Sequence, residues 1–200
     1  MVTIPRPTDS PAVRALIERL YAAFDEPNDL ETNPRAAPGR EAIVAKAVAH
    51  GRRDLPSDVV DWFVWSLITT IGTPQTLRHY LPGIVAELLH VPDDSDWWMF
   101  IEKMEMAGFA GWPPERRRLV LAAIRLWLAD AIMCKERVTA ADLPELAPEA
   151  VIAATPAALL IALLDPRRGT RAASDGATHD YPRQVAFILD AERALAREHA

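Results

Sequence analysis

Prolines stand where helices would begin, and this placement restricts the fold more than any other feature of the chain. Pro11, Pro56, Pro74, Pro114, Pro148, Pro156 and Pro182 each lie at or near the start of an apolar run with helical spacing. Proline at the first helical position gives up an N–H that has no intrahelical partner anyway, and its fixed φ suits the helix. Seventeen prolines are set against only eight glycines, whereas tight β-hairpins would call for more glycine and Asn-Gly turns. No stretch of five or more residues alternates apolar with polar as a strand would. The expectation is one all-α domain over residues 1–200, a compact irregular bundle of about eight or nine helices.

The first helix follows Asp9-Ser10-Pro11, with Val13, Leu16, Ile17, Leu20 and Phe24 at helical intervals. Residues 25–38 read as a surface loop, followed by a helix over about Arg40–His50 that Gly51 stops. The third helix, Asp58–Ile71, is apolar nearly all round, so it belongs in the middle of a bundle or under a partner. The fourth starts at Thr73-Pro74, and Pro82 inside it predicts a kink or a break at Leu81–Pro82. Helices are further expected over Trp97–Ala107, from Pro114 to about Lys135, and from Pro182 to about Glu198, the last with Val185, Ile188, Leu189 and Leu195 inward. Thr139 and Asp142 form a capping-box variant that starts a short turn stopped at Pro144. Pro148 and Pro156 open two short helices, and residues 165–179 form a second surface loop. Asp54-Leu55-Pro56 through Thr73-Pro74 is echoed by Asp142-Leu143-Pro144 through Thr155-Pro156. This echo keeps a short α-solenoid as the alternative architecture.

Charge and cysteine narrow the classes of partner. The balance of 22 Lys and Arg against 28 Asp and Glu, net −6 with a pI near 5.4, argues against nucleic-acid binding through a basic face, because phosphate neutralisation dominates that affinity. A lone Cys134 can form neither an internal disulfide nor a thiolate metal cluster, which fits a reducing cytoplasm. The opening residues have no apolar core of a secretory signal. The most apolar stretch, Val151–Leu164, is interrupted by Pro156 and falls short of the roughly 20 residues a bilayer requires. A cytoplasmic protein that neither enters membranes nor binds nucleic acid is expected.

Few residue patterns carry chemistry. Glu87 and His90 have the Glu-x-x-His spacing of carboxylate-bridged metal sites, but that chemistry takes two such motifs. Glu102 with Glu105 supplies only a lone carboxylate pair at helical spacing. No helical His pair of the zincin type, Cys-x-x-Cys, Gly-x-Ser-x-Gly or phosphate-cradling glycine loop occurs, so no catalytic residue, metal or cofactor is assigned. The Arg116-Arg117-Arg118 run opposes the dipole of the helix it begins and could receive an anion or an acidic partner. Six tryptophans, Trp62, Trp65, Trp97, Trp98, Trp112 and Trp127, stand out. Consecutive helical residues point about 100° apart, so Trp97 and Trp98 cannot share one core, and one of them is expected at a surface or interface.

The stretch Thr70-Ile71-Gly72-Thr73-Pro74-Gln75-Thr76-Leu77-Arg78-His79-Tyr80-Leu81-Pro82, together with Gly111-Trp112-Pro113-Pro114-Glu115-Arg116, resembles a bacterial all-α family with an "RHFLP"-like motif and a "WPxxER" helix start. That family has no assigned activity. The resemblance spans about residues 55–130 and implies a bacterial source and a helical fold, with no chemistry. Members usually carry Arg after the motif's proline, where this chain has Gly83. Arg78, His79, Trp112 and Arg116 are then candidates for a shared polar pocket, unless the motif is structural. The expected function is a non-enzymatic protein-interaction module of the adaptor or immunity type. It would contact a protein partner or a second copy through Arg78, His79, Trp97, Trp98, Trp112 and Arg116. The alternative is a small-molecule or metal-dependent enzyme with its pocket near Arg78/His79 or Glu87/His90.

Overall fold

The computed structural model describes residues 11–31, 39–90, 94–134 and 182–198. Among these the protein is all-α, with seven α-helices and no strand: α1 (Pro11–Ala23), α2 (Glu41–His50), α3 (Ser57–Ser66), α4 (Pro74–His90), α5 (Asp94–Met106), α6 (Pro114–Cys134) and α7 (Pro182–Arg197). A 3-10 turn, Phe109–Gly111, joins α5 to α6. The turn expected at Thr139–Pro144, the helices expected from Pro148 and Pro156, and the loop at 165–179 lie outside the described residues. The chain divides into two compact units, residues 1–119 and 120–200. No helix among the described residues is long and apolar enough to cross a membrane.

In the first unit α4 is the hub, packing on α1, α3 and α5, while α3 also meets α2 and α5. Its core draws Leu20 from α1, Phe63 from α3, Tyr80, Leu81 and Ile84 from α4, and Trp97 and Phe100 from α5. Of the kink or break expected at Pro82, the break does not occur. The helix continues as one element from Pro74 to His90. Proline removes one backbone donor and crowds the preceding turn, but Tyr80 through Val85 are all buried, and that packing holds the helix together.

The third helix is shorter than its apolar pattern suggests. It ends at Ser66, and Ile68 enters the left-handed region at φ +69°. Its N–H donates to the Ile71 carbonyl at 2.8 Å, and Leu67 and Ile71 form an isolated parallel bridge. The tight turn buries both Leu67 and Ile71 completely. A β-branched residue at positive φ costs free energy, and the burial of those two side chains offsets it.

The turn then closes on the start of α4. Thr73 Oγ1 accepts from the backbone N–H of Gln75 and of Thr76, and the Thr73 N–H donates to Thr76 Oγ1 at 2.9 Å. This is a reciprocal capping box with Thr in place of the usual Glu. The glycine after Pro82 has a second role. A Cβ built on Gly83 would stand 2.1 Å from the carbonyl oxygen of Arg52, so only glycine lets α4 lie against the backbone that leads from α2 into α3.

In the second unit, Arg125 of α6 pairs with Glu192 of α7 at 2.6 Å. Ile188 and Leu195 are the buried positions of α7, with Val185 and Leu189 half-buried. In α6 the buried positions include Arg117, Leu119, Val120, Leu121, Ile124, Leu126 and Trp127.

One buried charge has a measurable consequence. Lys103 of α5 is only 3% exposed, and burial pushes its ammonium below the ordinary lysine value of 10.5, with neighbouring Glu102 partly offsetting the shift. A depressed lysine destabilises the fold at every pH below its folded value, and the penalty fades as pH rises toward 10.5. Lys103→Met should therefore stabilise the protein near neutrality by about 1 kcal/mol, equal to roughly 2–4 °C in Tm. Thermal melts at neutral and alkaline pH check this: the gain should shrink as pH climbs. A variant that melts below the parent at neutral pH contradicts it.

Candidate functional site

The residues of the Thr73–Pro82 motif and of the Trp112–Arg116 helix start meet at the segment that follows α1. Phe24 through Leu30 is non-helical, and nearly every residue in it is held by a named partner. Arg52 Nη2 donates to Asp25 Oδ1 at 2.9 Å, and its Nη1 donates to the Phe24 carbonyl. Arg78 and Arg116 both reach Glu26 Oε1, the former at 3.3 Å through Nε and the latter in a closer contact through Nη1. His79 Nδ1 lies 2.7 Å from the Glu26 carbonyl; a carbonyl can only accept, so the imidazole proton sits on Nδ1. Gln75 donates to the Pro27 carbonyl, and Asn28 donates its amide to the Tyr80 hydroxyl at 2.9 Å. Asp29 completes the set: its two carboxylate oxygens accept from the hydroxyls of Thr73 and Thr76 at 2.5 Å each. A carboxylate at a helix N-terminus is also favoured by the helix dipole.

Glu26 is the centre of this arrangement. Its side chain is 16% exposed and those of Arg78 and Arg116 are 25% exposed. Both cations fall on Oε1, while Oε2 is buried without a hydrogen-bond partner. The Arg116 guanidinium also lies over the Phe24 ring at 5.0 Å, and Phe24 meets Trp112 edge to face at 5.5 Å. Arg78, His79, Trp112 and Arg116 are thus brought together, and each faces the Phe24–Leu30 segment or its neighbours. Trp112 is buried, with its indole N–H donated to the Ala107 carbonyl at 3.2 Å.

The other expected contact residues divide between core and surface. Trp97 is wholly buried and donates its indole N–H to the Leu88 carbonyl at 3.1 Å, whereas Trp98 is half-buried. Trp97 is therefore a core residue, and of the Trp97-Trp98 pair only Trp98 reaches solvent. Glu87 accepts from the Ser57 hydroxyl at the start of α3. His90 is exposed at the last turn of α4, and Glu102 and Glu105 lie half-buried on α5. No group of three or more His, Cys, Asp or Glu among the described residues stands where it could hold a metal ion. Arg116 is paired, Arg117 is buried and Arg118 is exposed, so the arginine run is not a uniform cationic face.

Among the described residues, the most exposed aromatic surface is on α3. Trp65 is 53% exposed and Trp62 39%. They share the outward side of the helix with Asp58 and Asp61, which are exposed as well. The spacing of these four residues repeats one helical stripe, a signal present in the sequence but masked by the Val-Val and Phe-Val pairs between them. Trp65 donates its indole N–H to Asp96 Oδ1 at 3.2 Å. The Arg40 guanidinium stacks 3.8 Å above the Trp62 ring, and Lys46 pairs with Asp58 at 2.6 Å.

No family model matches the chain, and neither a curated protein nor a solved structure matches it.

Proposed function

We propose that this chain is a non-enzymatic protein-interaction module of the adaptor or immunity type, acting in the cytoplasm and meeting a protein partner through the outer face of α3. The observation that carries this reading is the pair Trp62 and Trp65, two large aromatics left on the surface of one helix face. Tryptophan is enriched at the energetic centres of protein interfaces, and a half-exposed indole removes far more apolar area from water on docking than a scattered leucine would. The polar motif residues support the same reading from the other side. Arg78, His79 and Arg116 each direct a donor at Glu26, and on this reading the motif serves to hold the Phe24–Leu30 segment.

The test uses the full chain and its Trp62→Ser/Trp65→Ser variant as paired baits. A partner recovered stoichiometrically by the parent and reduced at least tenfold with the variant, roughly 1.4 kcal/mol or more, is the expected result. Circular dichroism should show the same helix content for both. Identical captures by the two baits, or no stoichiometric partner with either, would remove this function.

A further inference from the structure

We infer that the groove holding Phe24–Leu30 is a peptide-binding site, which accepts an extended acidic segment of a protein partner by exchange, with Phe24–Leu30 as the built-in competitor. This goes beyond the α3 reading and uses none of its residues.

The contacts within the chain show what chemistry the groove reads. Phe24–Leu30 forms neither helix nor strand, so its polar groups are taken by side chains of other elements. Its main-chain carbonyls at Phe24, Glu26 and Pro27 accept from the side chains of Arg52, His79 and Gln75. Main-chain groups are common to any extended segment: their capture gives affinity, and side-chain sites add specificity. Here the side-chain sites select carboxylates. Arg52 takes Asp25, Arg78 and Arg116 take Glu26, and the hydroxyls of Thr73 and Thr76 take Asp29. Phe24 and Leu30 anchor the two ends, both fully buried.

The donors named here are engaged at rest, so a partner's segment replaces like with like and needs no unpaired group. Two features favour that replacement. Glu26 offers both arginines a single oxygen and leaves Oε2 buried without a partner. A buried acceptor left unsatisfied costs free energy, which a carboxylate seated to use both oxygens would recover. Phe24–Leu30 follows directly on α1, which limits how far Glu26 can shift, whereas a partner's segment carries no such tie. Between its two anchors the segment is also little covered, with Asp25, Pro27 and Asn28 exposed, and stretches with few buried contacts are the ones a fold opens at low cost.

The test titrates the parent and its Glu26→Ala variant, both as the full chain, with a capped Phe-Asp-Glu-Pro-Asn-Asp-Leu peptide and with a counterpart carrying an amide for every carboxylate, by calorimetry. The variant has lost the carboxylate that its own segment places between Arg78 and Arg116. The peptide should bind it saturably and about tenfold or more tighter than the parent, whose own segment is the stronger competitor. The amide peptide should bind the variant about tenfold more weakly. Adding Arg78→Ala to the variant should weaken binding by a similar factor, whereas adding Arg193→Ala, which removes a paired cation of α7, should leave it unchanged. Where Glu26→Ala loses helix content, Glu26→Gln takes its place. Hydrogen exchange reads the parent directly: excess peptide should speed exchange at amides 25–30 severalfold and leave α5 as it was. No saturable binding to the variant, equal binding of the two peptides, or unchanged exchange at 25–30 in the parent would overturn the inference. None of these outcomes bears on the α3 face, which the paired baits test separately.

Discussion

Replacing Gly83 with alanine should unfold the first unit at markedly lower temperature than the parent. The added Cβ would meet the Arg52 carbonyl oxygen at 2.1 Å and a Leu55 methyl at 3.1 Å. The first of these is backbone, which cannot rotate away as a side chain can. To relieve the clash, α4 must move off the segment between α2 and α3. That segment is itself tied down, because the Arg52 carbonyl accepts from the Tyr21 hydroxyl and the Arg52 side chain bonds Phe24 and Asp25. Overpacking a core ordinarily costs about 1–3 kcal/mol, and a backbone clash at the hub helix belongs at or above the top of that range. The expected loss is about 3 kcal/mol or more, equal to roughly 6–12 °C in Tm, read by thermal melting followed at 222 nm. Gly111→Ala is the control, since nothing lies within 4 Å of its Cβ position, and it should melt within a degree or two of the parent. Equal melting of the two variants would show that the Arg52 contact does not constrain α4.

Removing the Glu26 carboxylate is the second large effect. Arg78 and Arg116 are held together by one oxygen atom, so Glu26→Ala leaves two cations facing each other across the gap, each three-quarters buried. Breaking a fully buried ion pair costs about 3–5 kcal/mol, and solvent screening of these partly exposed groups reduces that to about 2 kcal/mol. Glu26→Gln keeps an acceptor oxygen but not the charge, and should lose about half as much. Limited proteolysis supplies a second readout, because loosening of the Phe24–Leu30 segment should bring cleavage there before the helices are cut. If Glu26→Ala melts with the parent and resists protease equally, the segment is held without the Glu26 carboxylate, by its contacts with Arg52, Gln75 and His79 and those of Asn28 and Asp29.

These two residues also show how far the chain can be read without coordinates. The helices were legible because their starts are written in local chemistry: Thr73-Pro74 caps α4, and Gly51 at φ +70° stops α2. Errors arose where tertiary packing outweighed local preference. Pro82 does not break α4, because buried neighbours on both sides hold it, and α3 stops before Ile71, at a turn in which Ile68 takes a positive φ and Leu67 and Ile71 are buried. The motif positions Arg78, His79, Trp112 and Arg116 could be singled out from sequence, but Glu26 could not. A glutamate among Asp, Pro and Asn reads as solvated loop, and its partners lie 52 and 90 positions away, a separation that no local pattern encodes. The exposure of Trp62 and Trp65 is hidden in the sequence for a different reason. Trp62 and Trp65 sit in a run so apolar that the whole helix reads as core, and only the placement of Asp58 and Asp61 marks its outer side.

The same Glu26–Arg116 pair has a consequence for how the protein is made. A chain emerges from the ribosome at about 5–20 residues per second, N-terminus first, and Arg116 stands close to Leu119, where the first unit ends. Through all the time in which α1 to α5 are already outside the tunnel, Glu26 has Arg78 as its sole cation. The second arrives only as α6 begins to appear. The last-made residues of the unit therefore fasten the strap that follows its first helix, and a nascent chain stalled before Pro114 would carry that strap half-tied.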